Sequence, residues 1–392
     1  LPSEVAMHIS KFGPRSPGRL VKVEGVSGIT HAFLPKSLPP KWAWPASLWP
    51  LLMDARTALA HLDGMCKHLP HPKLFLHALQ SREAVKSCEM EGLFTVPEKQ
   101  LLFQILPERA RSEKDLRNTY RAIYNYERAL QVYARQKTRS PNTLPLIRKL
   151  HKALLKGIQQ SHETPGIFRS NLHQMRAAPH YVPPPPKVLR RCLNFFEKYL
   201  RQKSNGDPLV KAFLIHYQFE AIHPFQKWNG PVSRLLLTEM IAKNCGLSNQ
   251  WLHMSAYFEQ HDKEYRNRLF YVSSEGKWEA WIAFCLKGVI VQAKDAEIRC
   301  EKLIAFLDEF KRRVKRIDGG PRFYAIPETL FMAPIINISV LTKTYGISAA
   351  TAKSYLNKLI KTKMMSAIED AKERTYYNPK ILNVIHGENA SR

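Results

Sequence analysis

The stretch 219–237, FEAIHPFQKWNGPVSRLLL, gathers the side chains best suited to chemistry in this sequence. An apolar helix is expected to end at Ile222. A loop of His, Pro, Phe, Asn and Gly follows, and a second helix is expected to open at Pro231, where a missing N–H costs little. A loop running into a helix N-terminus offers free amides and partial positive charge, which is a natural seat for phosphate. His223, at the rim, is of the residue type that most often serves as a general base. The plain alternative is a structural His-Pro turn, and these residues alone leave both readings open.

Several elements must hold that loop. The first 45 residues are rich in Pro, Gly and Ser and read as an extended arm. Leu51, Leu52, Ala55, Leu59 and Leu62 have helical spacing and predict a helix stopped near Gly64. A second helix is predicted over 74–90, with Gly92 just past its end as a C-cap. Further helices are expected at 98–106, 113–136 and 143–159. The pattern lapses between 161 and 187, where Thr164-Pro165-Gly166 opens the gap and four prolines, Pro183 to Pro186, close it. A short β-hairpin is expected within 167–178. Helices resume over 188–201, 208–222 and most of 251–316, and Asp318-Gly319-Gly320-Pro321 marks a boundary.

Beyond it, 338–361 reads as two short helices around Gly346, with Ser348 capping the second. Residues 364–378 could add a two-stranded wing. In this helix-turn-helix reading Thr351, Lys353 and Lys358 would face DNA. A helical hairpin for protein contact or dimerisation stays open beside it.

Composition limits the class of protein. The 392 residues carry 60 Lys+Arg against 33 Asp+Glu, a net charge of +27, and 44% are hydrophobic. That excludes a disordered chain. No apolar run approaches the roughly 20 residues of a membrane span. The sequence opens on Leu1 without an initiator Met, so a few residues are expected ahead of it, and no apolar signal core stands at the start. Six scattered cysteines without a CxxC pair suit neither a zinc site nor a disulfide scaffold, and point to a reducing cytoplasm. Residues 99–201 hold 21 basic against 6 acidic side chains, whereas 301–392 hold 16 against 9. The cluster suits an anionic partner or is a solvated helix face.

The 219–237 loop resembles the signature loop of Fic-domain proteins, H-P-F-x-[D/E]-G-N-G-R-x-x-R. His223, Pro224, Phe225, Asn229, Gly230 and Arg234 match in register. NYERAL at 125–130, TPGIFR at 164–169, YVPPPP at 181–186, HYQFEAIHPF at 216–225 and YFEQHDKEY at 257–265 are similar to further landmarks, covering roughly 50–310. The resemblance implies a mainly α fold: a Fic helical core with a small β-hairpin flap, an N-terminal helical extension and a C-terminal winged-helix-like domain. The corresponding divisions are an arm at 1–45, an N-terminal helical region at 46–110, the Fic core at 111–316 and the winged unit at 322–392.

The activity implied is transfer of AMP from ATP to a Ser, Thr or Tyr hydroxyl of a protein. His223 would take the hydroxyl proton, while Phe225, Lys227, Asn229, Gly230, Arg234 and Tyr257 would bind nucleotide. A further family motif, [S/T]-x-x-x-E-[G/N], fits Ser87, Glu91 and Gly92, and implies an inhibitory helix whose Glu91 pairs with Arg234. Three loop positions depart from the pattern. Lys227 stands where a Mg²⁺ ligand belongs, removing an oxygen and adding repulsion to a metal. Trp228 replaces a glycine, where positive φ is expensive. Pro231 replaces an arginine. Activity is therefore expected to be impaired or altered, with ATP as donor and Mg²⁺ disfavoured. The alternative is an inactive Fic scaffold that regulates through DNA or a partner protein. No membrane contact is expected, and a homodimer stays open.

Overall fold

A computed structural model describes residues 9–23, 31–105, 114–135, 143–158, 164–172, 181–203, 206–368 and 373–387. Its elements run β1 (Gly18–Lys22), β2 (His31–Pro35), α1 (Leu48–Lys67), α2 (Pro72–Glu89), α3 (Pro97–Ile105), α4 (Lys114–Arg135), α5 (Leu144–Leu154), α6 (Pro186–Arg201), α7 (Pro208–Ile222) and α8 (Asn229–Asn244). They continue with α9 (Ser255–Gln260), α10 (Asp262–Glu275), α11 (Trp278–Lys315), α12 (Gly320–Tyr324), α13 (Ile326–Met332), β3 (Ile335–Ile336), α14 (Ile338–Tyr345), α15 (Ala349–Lys361), β4 (Ser366–Ile368), β5 (Thr375–Tyr377) and α16 (Pro379–His386). The fold is mainly α, as expected.

Helices α7 and α8 form the centre. Both are buried on nearly every side: in α7 each residue from Leu209 to Ile222 is buried, Lys211, His216 and Glu220 included, and in α8 all but Gly230, Glu239, Lys243 and Asn244. A helix that is apolar all round belongs inside a bundle. Surface helices bury one stripe instead. On α6 these are Leu189, Cys192, Leu193, Phe196 and Leu200, at three- and four-residue intervals. Arg190, Arg191, Lys198 and Arg201 lie on its exposed side.

The N-terminal region departs from the expected extended arm. β1 and β2 form an antiparallel hairpin with Gly18 opposite Pro35 and Lys22 opposite His31. Phe33 is wholly buried against Phe12 and Tyr181, and its N–H donates to Val182 O at 2.8 Å. Pro and Gly mark the turns of this stretch and hid the short apolar strands between them. Helix α1 does not stop at Gly64 but runs to Lys67, because one glycine costs only about 1 kcal/mol in a helix whose apolar face continues to Cys66. The hairpin expected within 167–178 lies largely outside the described residues, and 167–172 carry no strand.

The C-terminal elements docked on α11 form a three-stranded sheet in the order β3-β5-β4. The wing expected at 364–378 thus gains β3 as a third strand. Ser348 caps α15 by accepting from Thr351 N at 3.1 Å, and Gly346 takes φ +61 between α14 and α15.

Candidate functional site

α7 ends on a left-handed residue, a common helix stop that here falls on a histidine and not on the usual glycine. His223 takes a left-handed conformation (φ 48, ψ 63), and Trp228, immediately before α8, does the same (φ 64, ψ 21). Each non-glycine residue held there costs about 1–2 kcal/mol, so the surroundings must impose it. Three groups do so. Asn229 folds its amide back on the loop, accepting from Phe225 N and donating to Phe225 O, both at 2.8 Å. Buried Arg169 donates to His223 O at 2.7 Å, Pro184 O at 2.6 Å, Asn171 O at 3.2 Å and Ile222 O at 3.3 Å. Its own N–H reaches Pro224 O at 2.9 Å. Burial brings the Arg169 guanidinium down to about 10.

His151 on α5 completes the clamp. Its ring stacks on Phe225 with centroids 3.8 Å apart and 1° between planes. Gly166 N donates to Nδ1 at 2.9 Å, so Nε2 must carry the hydrogen that reaches Lys227 O at 3.1 Å. Burial lowers this histidine to about 4, and the neutral tautomer satisfies both nitrogens. Gly166 has φ +79, and a Cβ there would fall 2.9 Å from Arg148 O, so only glycine fits.

α8 begins at Asn229, two residues earlier than expected, and Pro231 sits within its first turn, where N–H groups have no intrahelical acceptor. Over this terminus stands the end of α2. The helix stops at Glu89, and Gly92 takes φ +80 as the chain turns away, leaving Glu91 on the turn between them. Arg234 is only 3% exposed. Its Nε donates to Ser87 Oγ at 2.8 Å, and its Nη2 donates to Ser87 O and to Glu91 Oε1, both at 2.9 Å. The same Glu91 oxygen lies 2.5 Å from where a Gly230 Cβ would stand. A carboxylate of the chain itself thus occupies the mouth of α8. Burial works against the Arg234 charge, yet Glu91 and the tyrosines Tyr126 and Tyr265 hold its pKa above the ordinary arginine value.

Behind Arg234 lies a buried polar layer. Ser233 Oγ meets His216 Nδ1 at 2.8 Å, and His216 Nε2 meets Tyr265 OH at 2.9 Å, joining α7, α8 and α10. Burial lowers His216 to about 3, so it is neutral. Glu220, one turn along α7, is pushed up to about 7 by burial, against the pull of Arg234 and with the push of Glu91. Glu83 of α2 accepts from Ser255 N at 3.0 Å, Ser255 Oγ at 2.5 Å and Tyr126 OH at 3.1 Å.

The residues matched by family models cover these elements. A model described as Fic/DOC family N-terminal matches 49–133, and one described as Fic/DOC family matches 141–241. The chain belongs to the Fic/DOC family. A Fic family protein from Desulfovibrio desulfuricans G20 superposes with a TM-score of 0.54 at 16% identity, covering 87% of this chain and 98% of that one. At that identity the likeness shows the fold alone. A probable protein adenylyltransferase of Aquifex aeolicus is 38% identical over 69 residues, 18% of this chain and 21% of its own length. The protein adenylyltransferase Fic of Drosophila ananassae is 35% identical over 106 residues, 26% of this chain and 20% of its own. The chain thus spans about a fifth of the length of these curated relatives.

Within this Fic chain the geometry brings Ser87, Glu91, Phe225, Asn229, Gly230 and Arg234 together around the mouth of α8, with His223 and Lys227 in the same loop. Tyr257 is buried on α9, against Gly288 and Phe284 of α11 and beside His261. Lys358 Nζ donates to Asp318 O and lies 5.9 Å from the Phe323 ring centroid. Thr351 is engaged in the Ser348 cap, while Lys353 is exposed. His151 and Arg169 escaped sequence reasoning as site-building residues. The TPGIFR landmark contained Arg169 but gave no hint of its carbonyl partners.

Mg²⁺ does not fit this loop. From His223 to Arg234 there is no carboxylate, Lys227 brings an ammonium, and the Asn229 amide is spent on Phe225. Hard divalent cations need oxygen ligands that the loop does not offer. Among the described residues no helix is long and apolar enough to cross a membrane.

Proposed function

We propose that this chain binds ATP at the mouth of α8 and transfers AMP slowly, without Mg²⁺, to a hydroxyl side chain of a protein, and that Glu91 restrains it. The reading is carried by one observation: the Glu91 carboxylate bonded to Arg234 directly over Gly230. An anion already seated at a helix N-terminus, paired with a buried guanidinium, marks a place built for phosphate oxygens. His223 accepts the proton of the target hydroxyl. The freed oxygen attacks the α-phosphorus, its bond to pyrophosphate breaks, and pyrophosphate leaves with the electron pair. Gly230 and Arg234 hold phosphate oxygens, Phe225 and Asn229 shape the loop, and Lys227 supplies the neutralising charge that a metal supplies elsewhere. The test is transfer of labelled AMP by the wild type, Glu91→Gly and His223→Ala, each with and without Mg²⁺. Label that rises in Glu91→Gly and vanishes in His223→Ala supports the reading. No label in any of them sinks it.

A second reading is favoured by Lys227 and the strained Trp228: a Fic scaffold without transfer activity that regulates by binding. The units would be an N-terminal segment at 1–45 that carries the β1–β2 hairpin, the restraining region at 46–110, the core at 111–316 and a winged helix-turn-helix at 322–392, with Lys353 and the exposed basic side chains of α5 and α6 facing DNA or an acidic partner. Binding to duplex DNA that weakens steeply with salt supports it, and binding indifferent to salt counts against it. The homodimer that the sequence leaves open is tested by the mass of the protein in solution. Six free cysteines fit the proposed reducing cytoplasm.

A further inference from the structure

A second cavity lies at the opposite end of α7. It is a half-open hollow of about 380 Å³, walled by Trp42, Trp44, Trp49 and Tyr199, with Lys211, Asp207 and, at its rim, the exposed Lys203 supplying its charge. That volume is within the range of small-molecule sites. The three indoles form a continuous aromatic wall, Trp42 to Trp44 at 5.5 Å and Trp44 to Trp49 at 5.7 Å between ring centroids. Lys211 and His223 are twelve residues apart on one helix, so the hollow stands about 18 Å from the His223 loop.

One polar group in this apolar hollow is incompletely satisfied. Lys211 is 5% exposed, its Nζ donates to Gln202 O and lies 5.2 Å from the Tyr199 ring centroid, and among the described residues no carboxylate lies within ion-pair distance of it. Burial lowers its pKa, as expected for an ammonium without a counter-ion. The carboxylate that lines the hollow is already committed. Asp207 accepts from Arg56 Nη1 at 3.0 Å and from the Leu209 and Val210 N–H groups at the start of α7. A buried cation behind aromatic walls defines a ligand by complement.

The geometry points to a binding site for a small planar aromatic anion, its ring against the Trp42–Trp44–Trp49 wall and its charged group on Lys211. The ring takes the aromatic surface, and the anion answers the ammonium. This site is independent of the reading of the His223 loop.

The probes are 1-naphthoate and its neutral relative 1-naphthamide, titrated into the full chain and followed by tryptophan fluorescence and calorimetry. Naphthoate is expected to bind at least about tenfold tighter than naphthamide, the worth of a charged hydrogen bond. Lys211→Met is expected to remove that preference, and Trp44→Ala, which removes the middle of the aromatic wall, to weaken naphthoate and naphthamide alike several-fold. Equal binding of the two probes by the wild type overturns the inference without any variant. So does a preference that survives in Lys211→Met. Capture of a proline-rich peptide with no response to naphthoate would overturn the class of ligand.

Discussion

Glu91 and Arg234 lie 143 residues apart in sequence and 2.9 Å apart in space, and the guanidinium also donates to Ser87, from Nε to the hydroxyl and from the shared Nη2 to the carbonyl. Both partners of Arg234 therefore come from one turn at the end of α2. Arg234 is buried while the Glu91 side chain is one-third exposed, so the pair is asymmetric: the cation cannot leave, but the anion can.

Replacing Glu91 by Gly should therefore free the mouth of α8 without collapsing the core. Ser87 still accepts both of its bonds from the guanidinium, and the exposed partner limits the loss of stability to about 1–2 kcal/mol. Calorimetric titration should show ATP binding at least tenfold tighter than in the wild type. Unchanged affinity would show that Glu91 does not compete with phosphate.

Arg169 should tolerate no substitution. Arg169→Met leaves the His223, Pro184 and Asn171 carbonyls without their donor, a loss of about 3 kcal/mol in denaturant unfolding. Once the turn relaxes from its left-handed conformation, labelled AMP transfer should fall well below that of Glu91→Gly with Arg169 intact.

Acid should loosen the loop. His151 has a folded value near 4 against an ordinary 6.5, and His216 and His253 are lowered by burial to about 3. An unfolded chain thus binds more protons than the folded one across this interval. The stability these neutral histidines contribute is complete above pH 6.5 and lost as pH falls toward 4 and then 3. The midpoint of thermal unfolding should drop steadily below pH 6.5. In His151→Gln the slope between 6.5 and 4 should be shallower, since an amide can keep both bonds without titrating. A slope identical to wild type would exclude His151 as a contributor.

Lys227→Asp should restore an oxygen ligand at the loop. ATP binding by Lys227→Asp in the Glu91→Gly background is expected to become Mg²⁺-dependent, whereas Glu91→Gly alone should bind equally with and without the metal. Metal dependence in both proteins would refute the stand-in role of Lys227.

Trp228→Gly should destabilise the chain even though it relieves a left-handed tryptophan. The relief is about 1–2 kcal/mol, but the side chain is 7% exposed within the main core, and truncating a buried Trp costs about 3–5 kcal/mol. A net loss of about 2 kcal/mol in chemical denaturation is expected. A gain would mean that the indole packs poorly.

How much of this was legible in the sequence depends on the range of each interaction. The bounds of α7 and α14 follow from local apolar spacing and capping residues, and the Glu91–Arg234 pairing followed from a motif with fixed spacing. His151 was invisible because its part rests on a ring stacked on Phe225, 74 residues away, and on a tautomer set by Gly166. Arg169 bonds only carbonyls, which every residue has and no sequence marks. The β1–β2 hairpin was hidden because its strands are short and its burial depends on Val182 and Tyr181, far along the chain.

Helix α11 carries one further consequence. Its 38 residues span about 57 Å, with α1 against its first half and the C-terminal elements against its second, through Phe306 on Phe331 and Lys311 bonded to Glu328 at 2.6 Å. The same rod is thus the backbone of both ends of the molecule. A protease cannot part them by nicking a tether, and trimming the chain after Lys315 would strip cover from Phe306 and bare an oily flank to water. The two ends should therefore age, melt and be degraded as one body.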